Sequence, residues 1–187
     1  MDMNMKKIKE SDLEIKPFRG VTFQQFQKFL DSLEDEKKTW SLDLKDKNLK
    51  EYFLYYCENG LGLLAALDEE VVGIVNSHLI FNGPNRTIAQ EYLDYFDMLC
   101  NKDNKNSYAA EISICVKEGI QKKGIGTALM TAYDGICQLQ NINFVFAKHT
   151  KDNIGSSKLF LKAGYIPFKW NTEKANKAWD FKIKKYE

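Results

Sequence analysis

The residues of this chain best suited to chemistry form one short run, Gln121-Lys122-Lys123-Gly124-Ile125-Gly126. It follows an apolar, strand-like segment ending at Val116 and precedes an amphipathic helix. Glycines at such a junction let backbone N–H groups turn outward with no Cβ in the way. With the free N–H groups and positive end of the next helix, they form a nest for an anion. Lys122 and Lys123 add charge. The natural guest is a phosphate or pyrophosphate.

Three phosphate-binding patterns compete for this run. In G-x-x-x-x-G-K-[ST], Gly119 and Gly124 have the spacing, but Ile125 and Gly126 stand where the lysine and the hydroxyl belong. That disfavours a nucleotide-hydrolysing switch. In G-x-G-x-x-G, Gly124 and Gly126 fit, but Leu129 takes the third glycine's place. A plain strand-to-helix turn has little need for two glycines and two lysines. The remaining pattern, R/Q-x-x-G-x-G/A after a strand ending in Val, is met from Gln121 to Gly126. A second stretch agrees: Asn153, Ser156 and the run FLKAGY from Phe160 to Tyr165, an aromatic-x-K-x-G-F/Y ending. On these residues and on its order of elements, nearly the whole chain resembles the GNAT superfamily of acyl-CoA-dependent N-acyltransferases.

The resemblance implies an α/β fold, with a central mixed sheet of about six or seven strands flanked by helices. Two parallel strands of that sheet splay apart to bind acyl-CoA. It implies one N-acetyltransferase domain over residues 1–187, with acetyl-CoA as acyl donor and an amine as acceptor. Gln121, Lys122, Lys123, Gly124, Ile125, Gly126 and Thr127 would hold the pyrophosphate. Ile114, Cys115 and Val116 would lie along the pantetheine arm through their main chain. Asn153, Ser156 and Phe160 would also belong to the coenzyme site. Plainer roles compete: core side chains for Ile114 and Val116, a solvated helix start for Thr127, a helix cap for Asn153.

The implied reaction is attack of an amine on a thioester. Glu111 lies near where the family often places its general base, acting directly or through water. Its plainer role is a structural hydrogen bond. His78 is a second candidate, although a lone strand histidine is more often structural. Many family members carry a tyrosine at the position of Phe160 as the acid beside the departing thiolate. Phe160 has no proton to give, which leaves water, Tyr133 or Tyr165 for that step. It also motivates an alternative, a non-catalytic acyl-CoA-binding or sensing module.

The elements that must position these residues follow from pattern. LEIKPF (Leu13 to Phe18) reads as a strand. Thr22 with Gln25 is a capping box that opens a helix. Asn48 starts another, and Asn59-Gly60 ends it. LGLLAAL and VVGIVNSHLIF form an antiparallel hairpin around Asp68-Glu69-Glu70. Residues 82 to 106 are polar at both ends, with Thr87 and Gln90 able to cap a short helix. Glu91, Asp94 and Asp97 there could attract a cationic amine, or simply face solvent. YAAEISICV, the helix after the loop and FVFAKH make a βαβ unit with parallel strands. In its helix, Leu129, Ala132, Tyr133 and Ile136 form the buried stripe. Asn153 opens the last helix, and YIPFKW and WDFKIK make a terminal hairpin.

Composition narrows the function classes. The 187 residues suit one domain with a real core, and a net charge of +1 argues against a nucleic-acid binder relying on bulk charge. No N-terminal stretch resembles a signal peptide, and LGLLAAL is too short to span a bilayer. The four cysteines and two histidines are scattered without ligand spacing, so no metal site is expected. Reduced thiols and a cytoplasmic location are the expectation, as monomer or homodimer.

Overall fold

The capping box at Thr22, the cap at Asn48 and the stop at Gly60 act where the sequence places them. The computed structural model describes residues 12–34, 48–80, 108–169, 176–177 and 179–186. The expected helix near Thr87, the acidic positions 91, 94 and 97, and Trp170 lie outside the described residues. The His78 side chain does as well.

In chain order the elements are β1 (Leu13–Pro17), a 3-10 turn (Phe18–Gly20), α1 (Phe23–Asp31), α2 (Leu49–Asn59), β2 (Gly62–Leu67) and β3 (Glu70–Ile80). Then follow β4 (Tyr108–Val116), α3 (Ile125–Leu139), β5 (Ile142–Thr150), α4 (Ile154–Lys162), β6 (Ile166–Phe168) and β7 (Trp179–Lys185). The strands make one seven-stranded sheet in the order β1-β2-β3-β4-β5-β7-β6. The terminal strands do pair antiparallel, Ile166 opposite Ile183 and Phe168 opposite Phe181. They are not a simple extension, because β7 lies between β6 and β5.

The chain divides into two compact units, Met1–Asn76 with Ser113–Tyr133, and Ser77–Ile112 with Asp134–Glu187. In the first, Thr22 and Gln25 form the reciprocal capping box that opens α1. Asn48 caps α2, and Gly60 ends it in the left-handed conformation. The expected first strand stops one residue early. Phe18 turns inward to zero exposure and packs on Phe26, Phe53 and Tyr56. Burying a ring of that size contributes about 2–3 kcal/mol, more than one extra pairing on an edge strand. Asp68 and Glu69 both have positive φ, the requirement of a tight two-residue hairpin turn.

In the second unit, β4 and β5 run parallel, as the βαβ reading requires. The buried stripe of α3 differs from the expectation. Ile125, Leu129, Met130, Tyr133 and Cys137 are buried, while Ala132 and Ile136 are only half-buried.

Candidate active site

The loop between β4 and α3 belongs to the first unit. It is anchored where it leaves β4. The Lys117 amide donates to the Val72 carbonyl at 2.9 Å, and the Lys117 ammonium bonds the Glu70 carboxylate. That bond is the main reason the Glu70 carboxyl is held below its ordinary range. The Gln121 side chain donates back to the Val116 carbonyl at 3.1 Å, closing the loop on itself. Gly119, Lys122 and Gly124 all take positive φ, at +76°, +62° and +90°. Lys122 is thus a lysine in a conformation that ordinarily favours glycine.

Gly124 is where the nest is completed. Its carbonyl accepts the first bond of α3, from the Ala128 amide at 2.9 Å. The amides of Ile125, Gly126 and Thr127 therefore have no partner within the helix. A Cβ on Gly124 would meet nothing within 4 Å, so the space beside Gly124 is open. Behind these amides the packing is tight. Ile125 is buried, and a Cβ on Gly73 would lie 3.3 Å from its Cγ2 and 3.1 Å from Leu129 Cδ1. The first turn of α3 is thereby held against β3. These features fit a pyrophosphate.

The helix start corrects one expectation. Ile125 and Gly126 are already helical, so Thr127 is the third residue of α3 rather than its first. Lys122 is exposed and Lys123 half-buried. Ile114 and Val116 are half-buried and Cys115 is buried, compatible with a role through the main chain.

Within the second unit, the β4–β5 ladder ends at Glu111 opposite Phe146. From Ala147 to Thr150, β5 pairs with β7 and has no β4 partner among the described residues. That leaves an edge of β5 with backbone groups to satisfy. The Glu111 carboxylate meets the Lys148 ammonium at 2.8 Å, across this parting ladder. The proposed base is thus ion-paired, a contact that the strand pattern did not reveal. Lys148 lies two residues past Phe146, on the same face, and that spacing was the available signal.

On the opposite face of β5, Phe160 is buried at 3% exposure. Its ring stacks on His149, centroids 6.2 Å apart with planes 10° from parallel, and leans on Tyr165 at 5.2 Å. Burial first, then Cys137 beside it, push the Tyr165 hydroxyl far above the ordinary tyrosine range, which makes it a poor proton donor. Asn153 caps its own helix, its Oδ1 accepting from the Ser156 amide at 2.9 Å. The plainer reading of Asn153 is thus met, and the geometry brings Asn153 and Ser156 together. Further along, Lys184 donates to Asp134 and to the Ala163 carbonyl, both at 2.8 Å. The Tyr186 hydroxyl donates to the other Asp134 oxygen at 2.6 Å. This polar cluster ties β7 to α3 and to the end of α4.

Among the described residues no His, Cys, Asp and Glu group could hold a metal ion, and no helix is long and apolar enough to cross a membrane. Cys57, Cys115 and Cys137 are thiols rather than disulfides.

A glycine loop thus opens the helix after the fourth strand of a seven-stranded mixed sheet. The sequence matches the acetyltransferase (GNAT) family over residues 26–165, and the chain belongs to that family. No curated protein matches it. Among solved structures, it is similar to the GNAT domain of PAT from S. lividans, with 16% identity and a TM-score of 0.66 over 93% of this chain and 90% of that one. It is also similar to yncA from Salmonella typhimurium, a putative acetyltransferase solved with its cofactor acetyl-CoA. There the identity is 12% and the TM-score 0.63, over 94% of this chain and 95% of that one. PseH from Campylobacter jejuni, in complex with acetyl coenzyme A, shares 14% identity and a TM-score of 0.53 over 94% and 99%. At these identities the likeness is one of fold.

Proposed function

We propose that this chain is a single-domain N-acetyltransferase that passes an acetyl group from acetyl-CoA directly to a primary amine of a small molecule, peptide or protein. The observation that carries the reading is the open nest at Gly124, inside a stretch that matches the family. The amides of Ile125, Gly126 and Thr127 hold the pyrophosphate, with Lys122 and Lys123 supplying charge. Holding both reactants together supplies most of the rate, so no covalent enzyme intermediate is needed.

Glu111 takes a proton from the incoming ammonium. To do so it must exchange its contact with Lys148 for one with the substrate, directly or through water. That ion pair and the missing hydroxyl at Phe160 favour a second reading, an acyl-CoA-binding or sensing module without turnover. One experiment separates the two: thiol release from acetyl-CoA, measured across panels of small amines, polyamines and peptides. Release that depends on an amine is the expected result. Binding of acetyl-CoA with no release across every panel would leave the sensor.

A further inference from the structure

Resting on that reading, we infer that His149 carries the proton to the departing coenzyme A thiolate, in place of the tyrosine that Phe160 replaces. His149 lies in the stretch of β5 from Ala147 to Thr150 that has no β4 partner among the described residues. It is buried to 5% exposure beneath the Phe160 ring. Its Nδ1 lies 2.9 Å from the Thr150 carbonyl, a contact that requires the hydrogen on Nδ1. In the neutral ring the lone pair then falls on Nε2. That atom is fully buried and has no hydrogen-bond partner. A buried polar atom with no partner carries a standing cost, which a proton-bearing ligand group at Nε2 would relieve.

The charged groups around the ring are few. Asp180 stands opposite His149 on β7, and Lys182 comes next on the same face, opposite Ala147. Neither makes a hydrogen bond to the ring. Asp152, one turn away, is exposed, and its carboxyl is held down chiefly by the Thr150 side chain. Tyr165, behind Phe160, stays protonated, as burial dictates.

Glu111 removes the first proton from the ammonium and passes it to solvent. The amine then attacks the thioester carbon, and the C–N bond forms. Nitrogen and sulfur now share one tetrahedral carbon, so a single Nε2 can serve both. It takes the second nitrogen proton. The C–S bond breaks with its electron pair on sulfur, and Nε2–H returns the proton to that sulfur. The products are the amide and coenzyme A thiol, with one proton released, and His149 ends as it began.

The test uses the whole chain. His149→Asn keeps an N–H for the Thr150 carbonyl and removes the titrating nitrogen. It should lower kcat by ~10²-fold, within the range of an acid–base catalyst, and leave coenzyme A affinity within about threefold. Adding Phe160→Tyr to that variant should restore at least ~10-fold, whereas Phe160→Tyr alone should change turnover by less than about tenfold. A merely structural histidine would not be rescued in this way, and absence of rescue overturns the assignment. A second readout needs neither turnover nor a variant. The ¹⁵N shift of His149 Nε2 should move when coenzyme A binds, and stay put with an analogue that has hydrogen in place of the thiol. Equal shifts for the two compounds would overturn the inference and leave the coenzyme reading intact. If coenzyme A does not bind, the proposed function fails and takes this inference with it.

Discussion

The loop after β4 and the corner around Phe160 are built by opposite means. In the loop the proposed working groups are backbone amides, and the side chains matter mainly by their absence or charge. Its shape is local: three positive-φ residues, one side-chain bond from Gln121 to Val116, and a helix start at Ile125. In the corner the proposed working groups are side chains gathered from β5, α3, α4, β7 and the residues just after the last two. Phe160, His149, Tyr165, Lys184, Tyr186 and Asp134 make a stacked and hydrogen-bonded set. A backbone site tolerates wide variation in its surroundings. A side-chain site depends on the packing of several elements at once, so stability and chemistry are coupled there.

That contrast can be broken by substitution. The largest effect is expected at Glu111. Glu111→Gln should lower turnover by ~10²-fold, mainly at neutral and lower pH, where the amine most needs help losing its proton. Acetyl-CoA affinity should hardly change. A pH–rate profile identical to that of the wild type would leave Glu111 as no more than the partner of Lys148.

Lys184→Met probes the corner through stability. It removes the donor to Asp134 and to the Ala163 carbonyl, and the cation above the Tyr165 and Tyr186 rings. The loss should be about 2 kcal/mol in urea denaturation, because a partly buried carboxylate loses a charged hydrogen bond. Coenzyme A affinity of the folded variant should stay unchanged. A fall in affinity with full stability would contradict the division between the two regions.

The smallest effect is at the loop's anchor. Lys117 lowers the Glu70 carboxyl, so Glu70 stabilises the folded state above the ordinary carboxylate range. That contribution is lost as pH falls through the lowered folded value. Glu70→Gln should cost no more than about 1 kcal/mol at pH 7, since the pair is partly solvated. The difference should vanish well below pH 4.5, the ordinary value of the group. A difference that persists in acid would show that the carboxylate charge is not what the anchor uses.

The same contrast explains what could be read from the sequence. The loop was legible because glycine spacing reports backbone conformation directly, and the capping box at Thr22 and the Gly60 stop are local in the same sense. Thr127 was misplaced by two residues, since Gly126 reads as a breaker although it sits inside the first turn. The hairpin of β6 and β7 was legible, but the insertion of β7 beside β5 was not, because strand order is a long-range property. The Glu111–Lys148 pair and the Asp134–Lys184–Tyr186 cluster join residues far apart in the chain. His149 left one trace: a polar residue on the face that Val145 and Ala147 bury. Only the stacked Phe160 ring gives that trace a meaning.

Gly124→Val is the sharpest test of whether the loop's amides hold the coenzyme's pyrophosphate. A β-branched side chain at φ +90° is strained and fills the open space beside Gly124. Calorimetric titration of coenzyme A into the folded variant should show affinity lower by ~100-fold, the equivalent of one or two charge-assisted hydrogen bonds of about 1.5–3 kcal/mol each. The thermal unfolding transition should remain cooperative. Unchanged coenzyme A affinity in a folded Gly124→Val protein would contradict a pyrophosphate role for these amides.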